Sequence, residues 1–236
     1  MSIVLDRPAV RIDVDGRAEP KTLLELPVLT LAEHRIGIIG ANGSGKSTLL
    51  RLLNGLVLPT AGRVTVGGLD TARDVRAVRR RVGFVFTDPL SQLVMPTPRE
   101  DVELSLRRLV RNGGERRARA EAVLDRFGLL GLADQSVYEL SGGERQLAAL
   151  AAVLAVEPEI LVLDEPSTLL DLRNRELLRT ILASLGQQVV LSTHDLEIAA
   201  DMDRVLVIDA GAVVFDGAAP AAVDRYRALC GMPARP

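Results

Sequence analysis

The residues with the clearest chemical pattern form the segment Gly40–Ser47, which reads GANGSGKS. It has the form G-x-x-x-x-G-K-[ST], between a strand-like apolar run and a helical pattern. The glycines let successive backbone N–H groups face phosphate oxygens, and the following helix adds positive potential. Lys46 can reach β- and γ-phosphates, and the Ser47 hydroxyl can ligate Mg²⁺. The predicted phosphate-binding residues are Gly40, Ala41, Asn42, Gly43, Ser44, Gly45, Lys46, Ser47 and Thr48.

A second chemical pattern ends the apolar run Ile160–Leu163, which Asp164 and Glu165 follow. A carboxylate at that end of a strand can hold Mg²⁺ on a neighbouring phosphate loop. The next carboxylate can polarise a water molecule. Acidic residues also end strands for ordinary structural reasons, so the pair gains its meaning from the phosphate loop. We predict that Ser47 and Asp164 ligate Mg²⁺ and that Glu165 acts on water.

The segment LSGGERQ, residues 140–146, precedes a long apolar helical pattern. Ser141 and Glu144 have the spacing of a capping box, so a capped helix is the simplest interpretation. Gly142 and Gly143 favour a further role, because glycines weaken a first helical turn. They also leave backbone N–H groups bare, so an anion can approach them closely.

The elements that position these residues follow from the hydrophobic pattern. Near the N-terminus, antiparallel strands are predicted by the alternating segments AVRIDVDG and TLLELPVLTL. Continuous apolar runs at 35–40, 160–165, 188–194 and 204–211 alternate with helical patterns, which predicts a mainly parallel sheet covered on both faces. Residues from about 99 to 137 are helical and rich in Arg, with a break at RNGGER, and predict a helical sub-lobe.

The predicted organisation is therefore a single α/β domain over residues 1–236. Its parts are a core at about 1–95 and 156–225, a helical sub-lobe at about 96–155 and a short tail at 226–236.

Composition narrows the function classes. The net charge is −2, so no basic field indicates nucleic acid, and aromatic residues are only 3%, which leaves few platforms for stacked bases. Cys230 is the only cysteine, which excludes an intrachain disulfide and a cysteine metal cluster. The longest apolar run, Leu147–Val156, is shorter than a membrane span. We expect no nucleic-acid partner, and any membrane role must act through a partner.

Five motifs in this order resemble an ATP-binding cassette (ABC) ATPase: the phosphate loop, LSGGERQ, ILVLDEP, STLLD at 167–171 and STHD at 192–195. The resemblance covers about residues 3–225. It implies an ABC-type P-loop NTPase with a mainly parallel RecA-like core sheet, an N-terminal antiparallel β subdomain and a helical sub-lobe. It also implies ATP and Mg²⁺ as cofactors and a head-to-tail dimer with a second ATPase subunit that sandwiches ATP.

The same resemblance implies roles for individual residues. Residues 141–143 would contact the γ-phosphate bound by the opposite subunit. Glu165 would be the general base for the attacking water, and His194 would contact the γ-phosphate and hold that water. Asp171 would lie at the dimer seam and couple the two sites.

The sequence departs from the family at two places. The family's glutamine that contacts Mg²⁺ and the attacking water aligns with Thr87. No aromatic residue precedes Phe84 to stack on the adenine, and the corresponding segment is Val14–Arg17. Adenine is therefore expected to rest on aliphatic carbon or on the plane of Arg17.

The segment Phe86–Leu106 resembles the ATPases of energy-coupling-factor (ECF) vitamin and metal-ion importers, which carry F-Q-x-P-x-x-Q followed by P-T and E-D-V. In that family the piece around the second glutamine, here Gln92, forms a short helix that grips the transmembrane coupling subunit. Leu90 stands at that helix's first acidic position. The chain most resembles the biotin-transporter ATPases of this group, in its compact length and in the segments DLRNRELL and RVGFVFTDP. The resemblance implies a peripheral subunit on the cytoplasmic face of a bacterial membrane, linked through the coupling subunit to a membrane substrate-binding subunit.

Several alternatives stay open at this point. Cobalt and nickel ECF systems use similar ATPases. A soluble ABC ATPase acting on DNA or ribosomes would need a long coiled-coil insertion or a second cassette. A nucleotide kinase would leave LSGGERQ unexplained. A binding-only cassette would require Thr87 alone to disable the site.

Overall fold

The computed structural model describes residues 2–16 and 19–232; Arg17, one of the alternative contacts expected for adenine, lies outside them. The strands are β1 (Ile3–Ile12), β2 (Lys21–Glu25), β3 (Leu29–Leu31), β4 (Arg35–Ile39), β5 (Ala61–Val66), β6 (Leu69–Asp70), β7 (Val82–Val85), β8 (Ile160–Asp164), β9 (Gln188–Ser192), β10 (Arg204–Asp209) and β11 (Ala212–Gly217). The α-helices are α1 (Lys46–Leu53), α2 (Val75–Arg81), α3 (Pro98–Leu106), α4 (Gly113–Arg126), α5 (Gly142–Leu154), α6 (Leu172–Ser184), α7 (Leu196–Ala200) and α8 (Ala219–Leu229). Short 3₁₀ turns occupy Pro89–Ser91 and Leu130–Leu132.

The chain forms two compact units. The first holds the described residues up to Val82, then Glu159–Glu165, and the described residues from Gln188 onward; the second holds Gly83–Pro158 and Pro166–Gln187. The predicted sub-lobe at about 96–155 lies within the second unit, which also takes in 83–95 and 166–187. The predicted tail from 226 overlaps the end of α8.

The first unit contains two sheets. One is antiparallel, with strand order β2-β1-β5-β6 and β3 paired to β1. In the other, β10, β4, β9 and β8 lie side by side in that order and are parallel, and β11 joins β10 antiparallel. Both sheets confirm the predicted α/β fold class.

The parallel strands are buried because neighbours cover them on both faces. Every residue of β4, β8 and β9 is buried, as their continuous apolar sequences predict. Helix α1 packs against β8 and β9, and α8 packs against β10 and β11. The burial of these strands fixes where each strand ends. The candidate site residues of this unit lie at the carboxyl ends of the strands or directly after them.

The second unit is mainly helical, and α3 packs against α4 and α5. Its apolar interior includes Val102, Leu124, Phe127 and Leu147. The predicted break at RNGGER is shorter than expected. Asn112 caps α4 by accepting a hydrogen bond from the Glu115 N–H, so Gly113 and Gly114 already belong to the helix. Within the described ranges, no helix has the length and apolar character needed to cross a membrane.

Candidate functional site

The phosphate loop connects the end of β4 to the start of α1. Gly43 and Gly45 adopt left-handed backbone angles, with φ of 78° and 111°. A Cβ at Gly40 would lie 2.1 Å from the carbonyl oxygen of Ile208, so only glycine fits there. The Gly211 N–H donates to the carbonyl oxygen of Ser44 at 2.8 Å and anchors the loop to the β10–β11 turn. The first N–H groups of α1 have no partner within the helix, and this geometry leaves them facing a site for an anion.

Lys46 is held at the base of this loop. Its side chain is buried, and its Nζ donates to the carbonyl oxygens of Gly40 at 2.8 Å and Ala41 at 3.2 Å. The same nitrogen lies 3.5 Å from Glu165 Oε1. The loop therefore fixes the ammonium next to a carboxylate, where it can attract phosphate oxygens.

Two hydroxyls converge on one oxygen of Asp164. Ser47 Oγ donates to Asp164 Oδ1 at 2.9 Å, and Ser192 Oγ donates to the same oxygen at 2.8 Å. Asp164 is only 1% exposed. A hydroxyl and a carboxylate in contact suit Mg²⁺, which usually takes one or two protein ligands beside phosphate and water. The described residues hold no group of three or more His, Cys, Asp and Glu that could bind a metal by themselves.

Ser192 was missed by the sequence reasoning. It is the register partner of Asp164 across the parallel strands β8 and β9. The available signal was the hydroxyl residue that begins STHD at the end of an apolar strand, but its partner depends on which strands are neighbours.

Glu165 and His194 lie in direct contact after the ends of β8 and β9. His194 Nδ1 lies 2.7 Å from Glu165 Oε2, and the His194 N–H donates to the same oxygen at 3.1 Å. The Glu165 side chain is 12% exposed, and among the described residues its buried Oε1 accepts no hydrogen bond. One carboxylate oxygen is thus held in place while the other stays available as a proton acceptor.

The backbone at Glu165 is unusual, with a left-handed φ of 53°. Its N–H donates to the carbonyl oxygen of Ser192 at 3.2 Å and to Ser192 Oγ at 3.1 Å. A non-glycine residue in this region carries a strain of about 1 kcal/mol or more. The strained conformation directs the carboxylate toward Lys46 and His194.

In the second unit, the predicted capping box is present at Ser141. Its hydroxyl accepts from the Glu144 N–H at 3.3 Å, and its own N–H donates to Glu144 Oε2 at 2.7 Å. Asp171 likewise caps α6 by accepting from the Asn174 N–H at 2.8 Å. Ser141 and Asp171 line one cavity of about 620 Å³ within this unit. A Cβ at Gly143 would come within 3.2 Å of Asn174 Nδ2, so this glycine also permits close packing on α6.

Comparison with known proteins identifies the family. The family described as ABC transporter matches residues 29–168, more than half of the chain. The chain belongs to the ABC transporter family. The biotin transport ATP-binding protein BioM of Rhizobium etli is 47% identical over 209 residues, which cover 89% of this chain and 93% of that protein.

Two solved structures of ABC cassettes resemble the fold. A dimeric post-hydrolysis state of the ATP-binding cassette MJ0796, bound to ADP and Pi, has a TM-score of 0.81 and 29% identity, covering 92% of this chain and 98% of that one. The cbiO1 protein of Clostridium perfringens, described as part of the ABC transporter complex cbiONQ, has a TM-score of 0.78 and 28% identity, covering 96% and 94%. The chain is therefore an ABC ATPase that binds and hydrolyses ATP. The roles of individual residues stay predictions.

Thr87 and Gln92 lie in the segment that follows β7 in this ABC ATPase. Thr87 is exposed, and Gln92 ends the 3₁₀ turn Pro89–Ser91. The short helix expected around Gln92 is present as this turn. The Gln92 amide is half-buried and accepts from the Phe86 N–H at 3.2 Å while donating to the Ala149 carbonyl at 3.0 Å. Phe84 is buried and Phe86 is half-buried, and their ring centroids lie 4.7 Å apart.

Asp101 fixes the far end of that segment. One of its carboxylate oxygens accepts from the Val94 N–H at 3.1 Å and from the Met95 N–H at 3.3 Å. Burial raises the pKa of Asp101, against the effect of these two hydrogen bonds. Leu90 and Val94, in contrast, are exposed apolar side chains on the same segment.

Proposed function

We propose that this chain is the ATP-hydrolysing subunit of an ECF-type importer of a vitamin, with biotin as the substrate of that importer. It works at the cytoplasmic face of the membrane as a head-to-tail dimer that closes on ATP and reopens after hydrolysis. It belongs with a transmembrane coupling subunit and, through it, with a membrane substrate-binding subunit.

The observation that carries the hydrolytic part is Oε1 of Glu165, which accepts no hydrogen bond from the described residues and lies 3.5 Å from Lys46 Nζ, while His194 Nδ1 contacts the other oxygen. Lys46 binds the terminal phosphates, and Glu165 takes the proton of the attacking water at Oε1. His194 keeps the carboxylate oriented.

The Ser47–Asp164 pair supports Mg²⁺ as the metal. Ser47 and Asp164 would hold the ion, which when bound neutralises charge on the phosphate oxygens. Asp164 stays oriented through Ser192 when the Ser47 hydroxyl turns to the metal. The phosphate loop supplies the remaining contacts through its N–H groups.

Two observations support the proposed dimer. A similar cassette has been solved as a dimer bound to ADP and Pi. In this chain, Ser141 and the N–H groups of Gly142 and Gly143 begin a 13-residue helix whose N-terminus attracts anions. In the proposed dimer these groups contact the γ-phosphate bound by the second subunit, and Asp171 lies at the seam. Because each γ-phosphate then bridges two subunits, ATP favours the closed state.

One finding favours biotin over cobalt or nickel. The similarity to the biotin transport ATP-binding protein extends over nearly the full length of both chains at 47% identity, whereas the cbiO1 structure shares 28%. The exposed Leu90 and Val94 support the transport role instead, because they offer an apolar surface for a coupling subunit, beside a turn that carries no basic residue. A cobalt or nickel ECF system is the second candidate, and a soluble cassette without a membrane partner is a third.

The test combines co-purification with uptake. Purification of the tagged chain from its own membranes, followed by mass spectrometry, should recover a transmembrane coupling subunit. Uptake of labelled biotin should require the wild-type chain and fail with Glu165→Gln. Glu157→Gln is the matched control, because Glu157 is exposed and has nearly the same φ, 51°. Uptake of cobalt or nickel in place of biotin would overturn the substrate, and recovery of no membrane protein would overturn the transport role.

A further inference from the structure

Two glutamine side chains meet at the peptide groups of Phe86, the residue before Thr87. Gln92 Oε1 accepts from the Phe86 N–H at 3.2 Å. Gln146 Nε2 donates to the Phe86 carbonyl oxygen at 3.4 Å. Both polar groups of one backbone residue are therefore satisfied by side-chain amides instead of by a strand partner.

Both glutamines connect Phe86 to α5. Gln146 belongs to that helix and is only 3% exposed. Gln92 reaches the same helix by donating from Nε2 to the Ala149 carbonyl oxygen at 3.0 Å. Ala149 lies three residues after Gln146 in sequence, so the two attachment points lie on neighbouring positions of one helical face.

The segment Phe86–Met95 is consequently held at both ends, and between them Thr87, Asp88, Leu90 and Ser91 are exposed while Pro89 and Leu93 are buried. Its start is attached to α5 through the glutamines, and its end is attached to α3 through the bonds from Val94 and Met95 to Asp101. Asp88 stabilises the turn between these points by accepting from the Leu90 N–H and the Ser91 hydroxyl.

We propose that Gln92 and Gln146 are positioning residues, an amide clamp that makes Thr87 and the following turn move together with α5. Helix α5 begins at Gly142, where the proposed function places the γ-phosphate of the second subunit; the inference rests on that function. A displacement of the helix start is transmitted along the rigid helix to the clamp, and from the clamp to the exposed turn. Gln92 is thereby a transmission residue whose amide faces inward, and the docking surface consists of its exposed neighbours Leu90 and Val94.

The two halves of the clamp are unequal. Gln92 makes two hydrogen bonds, of 3.2 and 3.0 Å, whereas Gln146 makes one of 3.4 Å and leaves its buried Oε1 without a partner among the described residues. Loss of Gln92 should therefore have the larger effect, and combining both losses should exceed either one alone.

The direct test is amide hydrogen exchange of the full chain without nucleotide, resolved at Phe86. Gln92→Leu should accelerate exchange of the Phe86 N–H about 3- to 10-fold, the range expected for one hydrogen bond. Gln92→Glu should accelerate exchange less than Gln92→Leu, because a carboxylate still accepts from that N–H although it no longer donates to the Ala149 carbonyl oxygen. Gln135→Leu is the matched control, since Gln135 is half-buried in the same unit and its side chain makes no hydrogen bond within the described residues. Unchanged exchange at Phe86 in Gln92→Leu would overturn the clamp.

The second test measures transmission in a Glu165→Gln background with ATP and Mg²⁺. In the parent chain, ATP should slow exchange both at residues 141–147 and at residues 86–95. In Gln92→Leu, the first response should remain and the second should fall at least about 3-fold. Transmission would be refuted if ATP still slowed exchange at residues 86–95 to the same extent in a variant that carries both Gln92→Leu and Gln146→Leu in this background. If ATP changes exchange nowhere in the parent chain, the proposed function fails, while the nucleotide-free measurement at Phe86 still decides the clamp.

Discussion

Substitution of Ser192 by alanine tests the arrangement around Asp164 most directly. The Ser192 hydroxyl is fully buried, donates to Asp164 Oδ1 at 2.8 Å and accepts from the Glu165 N–H at 3.1 Å. Ser192→Ala removes both bonds without changing the strand pairing of β8 and β9. A hydrogen bond to a charged group contributes about 1.5–3 kcal/mol. Glu165 N–H keeps its bond to the Ser192 carbonyl oxygen, so we assign the loss mainly to Asp164.

We expect the free energy of unfolding to fall by about 2 kcal/mol. For a chain of this length, 1 kcal/mol corresponds to roughly 2–4 °C in Tm, so Tm should fall by about 4–8 °C. The metal dependence should change as well: when Ser47 turns to Mg²⁺, Ser192 is the side-chain donor left to orient Asp164. Loss of such an orienting partner typically weakens metal affinity or activity by about 10-fold or more.

The assay is a Mg²⁺ titration of ATPase activity beside thermal unfolding without nucleotide. Ser184→Ala is the matched control, because that hydroxyl donates at 2.7 Å to the Ile181 carbonyl oxygen within α6 instead of to a residue of the proposed magnesium site. The control should leave the Mg²⁺ concentration for half-maximal activity unchanged. If Ser192→Ala keeps both the Tm and the Mg²⁺ dependence of the wild type, the hydroxyl does not orient Asp164 and the reasoning is wrong.

Three further predictions concern other parts of the chain. Thr87→Gln should raise basal ATPase activity about 2- to 10-fold, because an amide adds reach that the exposed threonine hydroxyl lacks. Asp101→Asn should stabilise the chain, relative to the wild type, increasingly as pH rises from about 4 to 7. Burial raises the pKa of the Asp101 carboxyl, so the wild type loses free energy of unfolding as the carboxylate forms. The amide of the variant does not ionise and loses nothing. Arg204→Met should destabilise by about 1–2 kcal/mol at pH 7, because Arg204 contacts both Asp216 and Glu33. Burial raises the pKa of Glu33, but backbone N–H groups and Arg204 together lower it by more, so the pKa is lowered overall. The loss of stability in Arg204→Met should therefore shrink as pH falls through the usual glutamate range.

Each of these has its own control. A steady-state assay that shows Thr87→Gln at or below wild-type activity would count against the short side chain as the limit on hydrolysis. For Asp101→Asn, Tm measured across pH should be compared with Asp88→Asn, an exposed cap on the same segment; equal pH profiles would refute the buried-carboxylate argument. For Arg204→Met, denaturant unfolding at pH 7 and pH 4 should give unequal deficits, and equal deficits would contradict the ionic contribution.

The local features of the chain could be predicted from its sequence. The phosphate loop, the buried strands β4, β8 and β9, and the capping box at Ser141 each depend on residues that are close together in the chain. The bond between Ser192 and Asp164 could not be predicted, because it depends on the register of two strands 28 residues apart. The inward-facing amide of Gln92 was missed for a similar reason, since its partner Ala149 lies 57 residues away.

The left-handed backbone of Glu165 has a consequence for how this cassette can decay. At φ of 53°, glycine and asparagine tolerate the conformation better than glutamate does. Replacement of Glu165 by either residue would therefore relieve backbone strain, although it would also remove the carboxylate's contacts with Lys46 and His194. The backbone thus gives no protection against loss of this glutamate, and a duplicated copy that no longer needs to hydrolyse ATP could become a nucleotide-binding protein without ATPase activity by a single substitution. The demand for hydrolysis and these two contacts keep a glutamate in a position that the backbone disfavours.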